Sequence, residues 1–511
     1  MSTQADSAHK IHRGMAVGSV LRILNLCAGA AVALLLMPFM VHHLGDRAYG
    51  AWSLVVAYIS YYNLLDLGLT TAISQYLCIA LGRHDESEAA TVFNTSLVLQ
   101  TIIGVFALLI TVALAPFAAH LLRAQMDSAT VWQVTLILGF NTALGFPARV
   151  YAGVLDAEYR FVAQSGLNLA GVVLRSLLMV FAVLYGQSIV FLAWSTLLAT
   201  LPVLGAQILI ARRCALWTRI QLATSSLAHV RQMFFYSAFA FITTIADNLR
   251  YQIDPLIITA AIGLSAVTHY RVASALMSYS INVVIMTTGI VQPMLSRAYG
   301  KGDHAQLERA FLFVSKISVL FALLVCTLTI LFGQSFVLRW MGRSYADAYL
   351  PMVLLALAVF LDVSQNPSIG LLYATFNHRY YALINVIEGV INLVASLLLV
   401  QRYGIAGVAM GTLIGAILIR IFVQPIVVCR VTKIDSGSYL SQTLRTLVVG
   451  LVAVCAAALA GHWAVREAYS FLIPGVLCSV AVFFLCSYCL AFSAAERASL
   501  YAVLLRRKDA A

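Results

Sequence analysis

The chain has 511 residues, 62% of them hydrophobic and 10% charged, and its mean hydropathy is +0.92. A soluble domain carries about 25% charged residues, so the composition excludes an ordinary globular enzyme and specifies an all-α polytopic membrane protein. The net charge of +12 would suit nucleic acid, but the placement of the basic residues gives it another cause.

Apolar windows of about 20 residues separated by polar turns predict fourteen transmembrane spans. In chain order they cover 16–41, 49–79, 93–119, 130–154, 162–185, 188–211, 232–262, 266–295, 311–333, 346–374, 380–400, 404–430, 444–463 and 470–492. Lys10 and Arg13 precede the first run, which is longer than the core of a signal peptide and reads as a retained span. With the N-terminus inside, 20 of the 32 Lys and Arg fall in cytoplasmic segments or at the span ends that border them, 6 in the opposite loops and 6 elsewhere within spans. This positive-inside asymmetry predicts that both termini are cytoplasmic, and it explains the basic charge without a nucleic acid partner. The nine cysteines are odd in number and lie mostly in apolar runs, so no disulfide framework is expected. Cys486 and Cys489 read as packing residues of the last span.

A polar connection repeats. "LGRHDESEAATVF" (81–93) aligns with "YGKGDHAQLERAF" (299–311) at an offset of 218, which also pairs Gly45 with Gly263. Six spans separate the copies, so they share one orientation. Parallel repeats predict a pseudo-twofold axis along the membrane normal, with a substrate path between the halves. The expected division is a first half over 1–231, a second over 232–442, and two further spans with a basic tail over 443–511. No G-x-x-x-x-G-K-[ST], H-E-x-x-H or G-x-S-x-G is present, and the polar connection 212–231 is too short for a catalytic domain. A transporter is expected rather than an enzyme, with no cofactor.

Three stretches carry a family resemblance. "LGDRAYGAWSLVVAYISYYNLLDLGLTTAISQYLCIALGRHDESEA" (44–89) resembles spans 2 to 3 of the polysaccharide exporters of the multidrug/oligosaccharidyl-lipid/polysaccharide superfamily, through Gly45, Tyr49, Gly50, Asp66-Leu-Gly68, Gln75 and Asp85. "DPLIITAAIGLSAVTHYRVAS" (254–274) is similar to the span 7–8 junction, and "QPMLSRAYGKGD" (292–303) to the end of span 8. Fourteen spans suit the Wzx-type flippases of that superfamily better than its twelve-span drug exporters. The resemblance implies a two-lobed alternating-access transporter in a bacterial inner membrane. Its implied substrate is a polyprenyl-pyrophosphate-linked oligosaccharide, an O-antigen, capsule or exopolysaccharide unit carried to the outer leaflet. The polymerase and chain-length machinery are the implied protein partners.

Charges inside spans cost on the order of 3 kcal/mol each by insertion scales, so each needs a reason. Arginine suits a pyrophosphate because its planar fork donates paired hydrogen bonds and keeps its charge when desolvated. The candidates are Arg22, Arg175, Arg250, Arg271 and Arg420. The family geometry implies that Arg22 and Arg250, on the first helix of each half, face the central cavity. Snorkelling is the competing reading for Arg22 and Arg271, and helix–helix pairing with carboxylates is the competing reading for Arg175 and Arg420. In "ADNLRYQIDP" (246–255), Asp247, Arg250 and Asp254 fall at i, i+3 and i+7, one helical face. That face is either a neutralising ion network or a phosphate site whose counter-ions yield to the ligand. Asp66, Asp362 and Glu388 are further intramembrane carboxylates that can carry a coupled proton, although the family pattern implies that Asp66 caps the following Leu-Gly turn. Two rivals to a flippase remain, a drug or organic-cation antiporter of the same superfamily and an integral-membrane glycan polymerase.

Overall fold

A computed structural model of the protein describes residues 27–186, 188–215, 217–221, 252–300, 303–375, 377–461, 469–494 and 496–497, with Leu21, Leu24, Asn25, Val230, Phe241, Ile245, Asn248 and Arg250 singly. Among the described residues every regular element is a helix. Arg22 and Asp247, and most of the predicted first turns of span 1 and of span 7, lie outside the described residues.

Helix α1 (Cys27–Leu44) ends at Gly45, whose φ of 82° turns the chain into α2 (Asp46–Ser60). The predicted span 49–79 is not continuous. After Ser60 the chain makes a 3-10 turn over Tyr61–Asp66, passes Leu67 (φ 50°) and Gly68 (φ 76°), and resumes as α3 (Leu69–Gly82). The cause is Asp66, whose carboxylate accepts from the Thr70 N–H at 3.2 Å and the Thr70 hydroxyl at 2.7 Å. It thereby caps the restarted helix, and the left-handed pair Leu67–Gly68 interrupts the helical path just before it. Next come α4 (Glu86–Leu122), α5 (Ser128–Ala157), α6 (Phe161–Gly186) and α7 (Ile189–Cys214).

The second part opens with a short α8 (Asp254–Ala261), with Pro255 in its first turn, then α9 (Leu264–Gly300) and α10 (His304–Trp340). A 3-10 turn leads into α11 (Tyr349–Ser364) and α12 (Asn366–Ala374). They are followed by α13 (His378–Ala416), a π-helical turn over Ile417–Val423, α14 (Gln424–Thr432), α15 (Ser436–Gly461) and α16 (Tyr469–Ala491). Ten stretches among the described residues are long and apolar enough to cross a bilayer. One of them, Arg379–Thr432, has 54 residues, about 80 Å of helix against a hydrocarbon core of about 30 Å. Gly404, at φ 58° and ψ −138°, breaks it into the predicted spans 11 and 12.

The repeat reappears in the geometry. From Asp46 to Gly82 the first copy runs α2, turn and α3, and α9 runs from Leu264 to Gly300, both bounds displaced by 218. Helices α4 and α10 each have 37 residues at the same displacement. Each is capped by the repeat's aspartate: Asp85 accepts from Glu88 N–H and Asp303 from Gln306 N–H, both at 2.8 Å. Gly45 and Gly263, φ 82° and 132°, make the turns that precede the copies. The repeated polar letters are therefore the residues that stop and start helices.

The chain packs as two compact units, Met1–Thr268 and His269–Ala511. Residues 254–268 join the first unit through close contacts. Leu264 N–H donates to Gln125 Oε1 at 2.8 Å, and the Thr268 hydroxyl donates to the Asp46 carbonyl at 2.7 Å. A Cβ on Gly50 would stand 1.9 Å from the Leu264 carbonyl oxygen, so only glycine lets these backbones approach. In the α4–α5 seam of the same unit, a Cβ on Gly139 would meet Thr111 at 2.2 Å and one on Gly104 the Ala143 carbonyl at 2.7 Å. All nine cysteines are free thiols.

Gly50→Ala forces backbone apart at Leu264 and is expected to cost about 1–3 kcal/mol, read as a lower unfolding temperature of the detergent-purified protein. Gly166→Ala, with open space around its Cβ, is the control and should be neutral or slightly stabilising. Equal unfolding temperatures for Gly50→Ala and the control would refute the close approach.

Candidate functional site

The charged groups inside the helices gather in distinct places. In the second unit, the two halves of α13 fold back on each other along a seam of Gly407, Gly411 and Gly415, spaced by four. A Cβ at these positions would stand 2.3 Å from the Leu399 carbonyl, 2.2 Å from Ser396 Oγ and 3.3 Å from the Glu388 carbonyl, respectively. This small-xxx-small spacing allows backbone contact between membrane helices. It faces a polar stripe, Glu388, Asn392 and Ser396, also spaced by four, in which Asn392 Oδ1 accepts from Ser396 at 3.0 Å and from Thr412 at 3.3 Å.

Directly after the seam the helix widens into the π turn, and its centre, Arg420, is the largest fully buried side chain among the described residues, 1% exposed. Its Nε donates to Asp362 Oδ1 at 3.0 Å, and one terminal nitrogen reaches Glu388 Oε2 at 2.8 Å and Asn385 Oδ1 at 3.1 Å. The other terminal nitrogen donates to Gln424. Gln424 passes the chain on to the Gln365 carbonyl at 3.1 Å, and Tyr439 O–H donates to Gln365 Oε1 at 3.0 Å. One guanidinium thus joins α11, α13 and the π turn. With both carboxylates ionised the trio carries one net negative charge, which a proton or another cation can balance. A π turn inside an α-helix is a frequent companion of function.

In the first unit Asp66 is 7% exposed. Besides capping α3 it accepts from Gln100 Nε2 at 2.8 Å and pairs with Arg149 at 3.2 Å. Arg149 also donates to Asn63 Oδ1 at 2.8 Å and lies 4.6 Å from the Phe146 ring centre. The sequence reading counted Arg149 as a cytoplasmic charge. In the structure it lies within α5, paired with a buried carboxylate.

Arg250 and Asp254 are both buried in this unit, 4% and 5% exposed, with Asn248 at 9%. The chain turns at Gln252 and Ile253 before α8 begins, so no continuous helical face carries Arg250 to Asp254. Asp254 instead occupies the first turn of α8, where the helix dipole favours an anion. Arg175 is on the open side of α6, and Arg271, on α9, is half-buried. Tyr62 and Tyr270 are packed inside, at 5% and 3% exposed. Residues that escaped sequence reasoning are Arg149, Gln100, Asn385, Gln424 and Gln365. The spaced glycines of "GVAMGTLIG" (407–415) were the one signal that could have located the seam.

These helices have the fold of the multidrug/oligosaccharidyl-lipid/polysaccharide transporters. A multidrug MATE transporter of that superfamily, solved facing inward, superposes with a TM-score of 0.69 at 17% identity over 81% of this chain and 99% of its own. The lipid II flippase MurJ, in an inward closed conformation, gives 0.70 at 11% identity over 93% of this chain and 98% of its own. Within this fold class the sequence is more specific: residues 39–350 match the family described as polysaccharide biosynthesis proteins, and the chain belongs to that family. A Shigella flexneri protein named as a candidate O-antigen transporter is 21% identical over 416 residues, 78% of this chain and 95% of its own length.

Arg420→Met leaves Asp362 and Glu388 without their cation and should destabilise by about 3–5 kcal/mol. The triple variant Arg420→Met, Asp362→Asn, Glu388→Gln removes all three charges and should recover most of that loss in thermal unfolding. A triple variant no more stable than the single one would show that the trio is not the dominant interaction of this region.

Proposed function

We propose that this protein is a flippase for a polyprenyl-pyrophosphate-linked oligosaccharide, moving the repeat unit of an O-antigen, capsule or exopolysaccharide from the cytoplasmic to the outer leaflet of a bacterial inner membrane. The observation that carries the reading is the coincidence of family and fold: a polysaccharide-biosynthesis sequence over residues 39–350 on a chain folded as a lipid- and drug-transporter. On this reading residues 1–231 and 232–442 are the two halves of the carrier, 443–511 its appendage, and both termini are cytoplasmic.

Arg22 and Arg250 are the leading pyrophosphate ligands, with Arg271 and Arg175 as further cations along the path. Asp247 and Asp254 are the counter-ions that balance the charge of Arg250 until the phosphate replaces them. The turn at Gln252–Ile253 is the hinge on which Arg250 moves without dragging α8. Asp362 and Glu388, sharing Arg420, form the coupling site, where a proton or other cation enters the trio during the cycle, and Arg420 acts there rather than on substrate. Asp66 serves the fold by capping α3. Outward movement of an anionic head group is favoured by an interior-negative potential by about 2.3 kcal/mol per charge per 100 mV. The polymerase and chain-length machinery are the partners that would receive the product.

The test uses sealed proteoliposomes and a polyprenyl-pyrophosphate oligosaccharide labelled on its head group, timing its exposure to an impermeant quencher. Rapid exposure with the native protein and a drop of at least tenfold for Arg250→Ala are expected. Rapid exposure with both keeps the flippase and removes Arg250 from the phosphate site. Background rates with both, in folded protein under an imposed potential, would sink the reading in favour of a drug or organic-cation antiporter or a glycan polymerase.

A further inference from the structure

The second unit contains a cavity of about 520 Å³ between α10, α15 and the end of α16, away from the charged clusters above. Its lining divides by chemistry. Leu312, Val449 and Leu490 make an apolar wall, and Lys316, Arg445 and Glu496 bring charge to it alongside serine, threonine and glutamine side chains. The positive-inside count assigns this end of the helices to the cytoplasmic leaflet.

Lys316 and Glu496 meet inside the cavity, with Nζ 2.8 and 3.0 Å from the two carboxylate oxygens and side chains 12% and 25% exposed. Glu496 has a second task. It accepts from the Ser493 N–H at 2.7 Å while its own N–H donates to Ser493 Oγ at 3.3 Å, a capping box that starts a helical turn after α16. Burial pushes the Glu496 carboxyl up, but the bonds from Lys316 and Ser493 together hold it below its usual range, so the pair is ionic at neutral pH.

We propose that this cavity is a binding site for the phosphate head group of an anionic glycerophospholipid of the inner leaflet, held by Lys316 and Arg445 in competition with Glu496. Two cations against one carboxylate leave a net positive charge for a phosphodiester, the hydroxyl and amide rim suits a glycerol head group, and the apolar wall suits the first carbons of an acyl chain. Inorganic phosphate would satisfy the cations and leave the apolar wall unused. Because Glu496 also caps the helical turn that follows α16, a lipid that takes Lys316 releases the C-terminal segment from α10. Lipid composition would thereby reach the two appended spans independently of the glycan carried.

The experiment measures the association of spin-labelled phosphatidylglycerol, relative to spin-labelled phosphatidylcholine, with full-length protein in phosphatidylcholine vesicles. The native protein should prefer phosphatidylglycerol. Arg445→Gln, an exposed change that does not threaten folding, should reduce the preference about fivefold. Glu496→Gln should raise it by a similar factor although it removes an ion pair. A merely structural pair predicts a lower unfolding temperature for Glu496→Gln with no gain in lipid preference, and that result would overturn the proposal. So would an unchanged preference in Arg445→Gln, displacement of the labelled lipid by millimolar inorganic phosphate alone, or selection of a spin-labelled polyprenyl phosphate over phosphatidylglycerol.

Discussion

The hydrocarbon interior of a bilayer offers no solvent for an ion or for an open backbone group, and each must therefore be matched within the protein. That constraint accounts for where this chain departs from regular helix. The α2–α3 span breaks at Asp66, and the same residue supplies the acceptors that the restarted helix needs. The π turn at Ile417–Val423 surrounds Arg420, whose guanidinium meets two carboxylates and two side-chain amides. Neither irregularity is a defect in an otherwise apolar rod, since each lies where a charge had to be accommodated.

The glycine seam follows from the same constraint. Between two helices in lipid, apolar side chains gain little by meeting each other, because lipid tails are equally apolar. Gly407, Gly411 and Gly415 remove side chains altogether and bring backbone to backbone. Glu388, Asn392 and Ser396 on the opposing half are then sheltered from lipid, and Glu388 is held where Arg420 can reach it. The sequence order of glycine stripe, then π turn, then Gln424 is thus a spatial order as well, leading from close packing to ion cluster to the polar chain that ends at Tyr439.

Much of the architecture could be read from the sequence because it depends on local properties. Apolar length sets the spans, and helix caps such as Asp85 and Asp303 recur at a fixed offset because the repeated unit must begin its long helix at the same place. The break at Tyr61–Gly68 was invisible to a hydropathy window, since Tyr61, Leu64, Leu65 and Leu67 keep the run apolar. The partner of Arg149 was out of reach because its position near a span end in sequence says nothing of a carboxylate 83 positions away (149 against 66) on another segment. Pairing of Arg420 with carboxylates was one of its two readings, but which carboxylates, Asp362 and Glu388, was similarly out of reach. Each was recognisable as an intramembrane charge, but partnership between helices depends on rotation and tilt that no single segment encodes. Of the trio at i, i+3 and i+7, Asp247 lies outside the described residues, and between Arg250 and Asp254 the chain turns at Gln252 and Ile253.

Magnitudes separate the parts that hold from the parts that can move. Residues 254–268 are attached to the first unit by two neutral hydrogen bonds, each worth about 1 kcal/mol net, by the close approach of Gly50 to Leu264, and by apolar burial of Leu256 and Leu264 in the unit's core. Opening such a contact exposes groups that water can satisfy when it lies beyond the hydrocarbon. Separating Arg420 from its carboxylates would strand charges in the interior at a cost of about 3–5 kcal/mol, with no solvent to replace the partners. The two kinds of attachment therefore differ in whether solvent can replace what is broken when they open. The helices joined by Arg420 are thus held by partners that neither water nor lipid can replace.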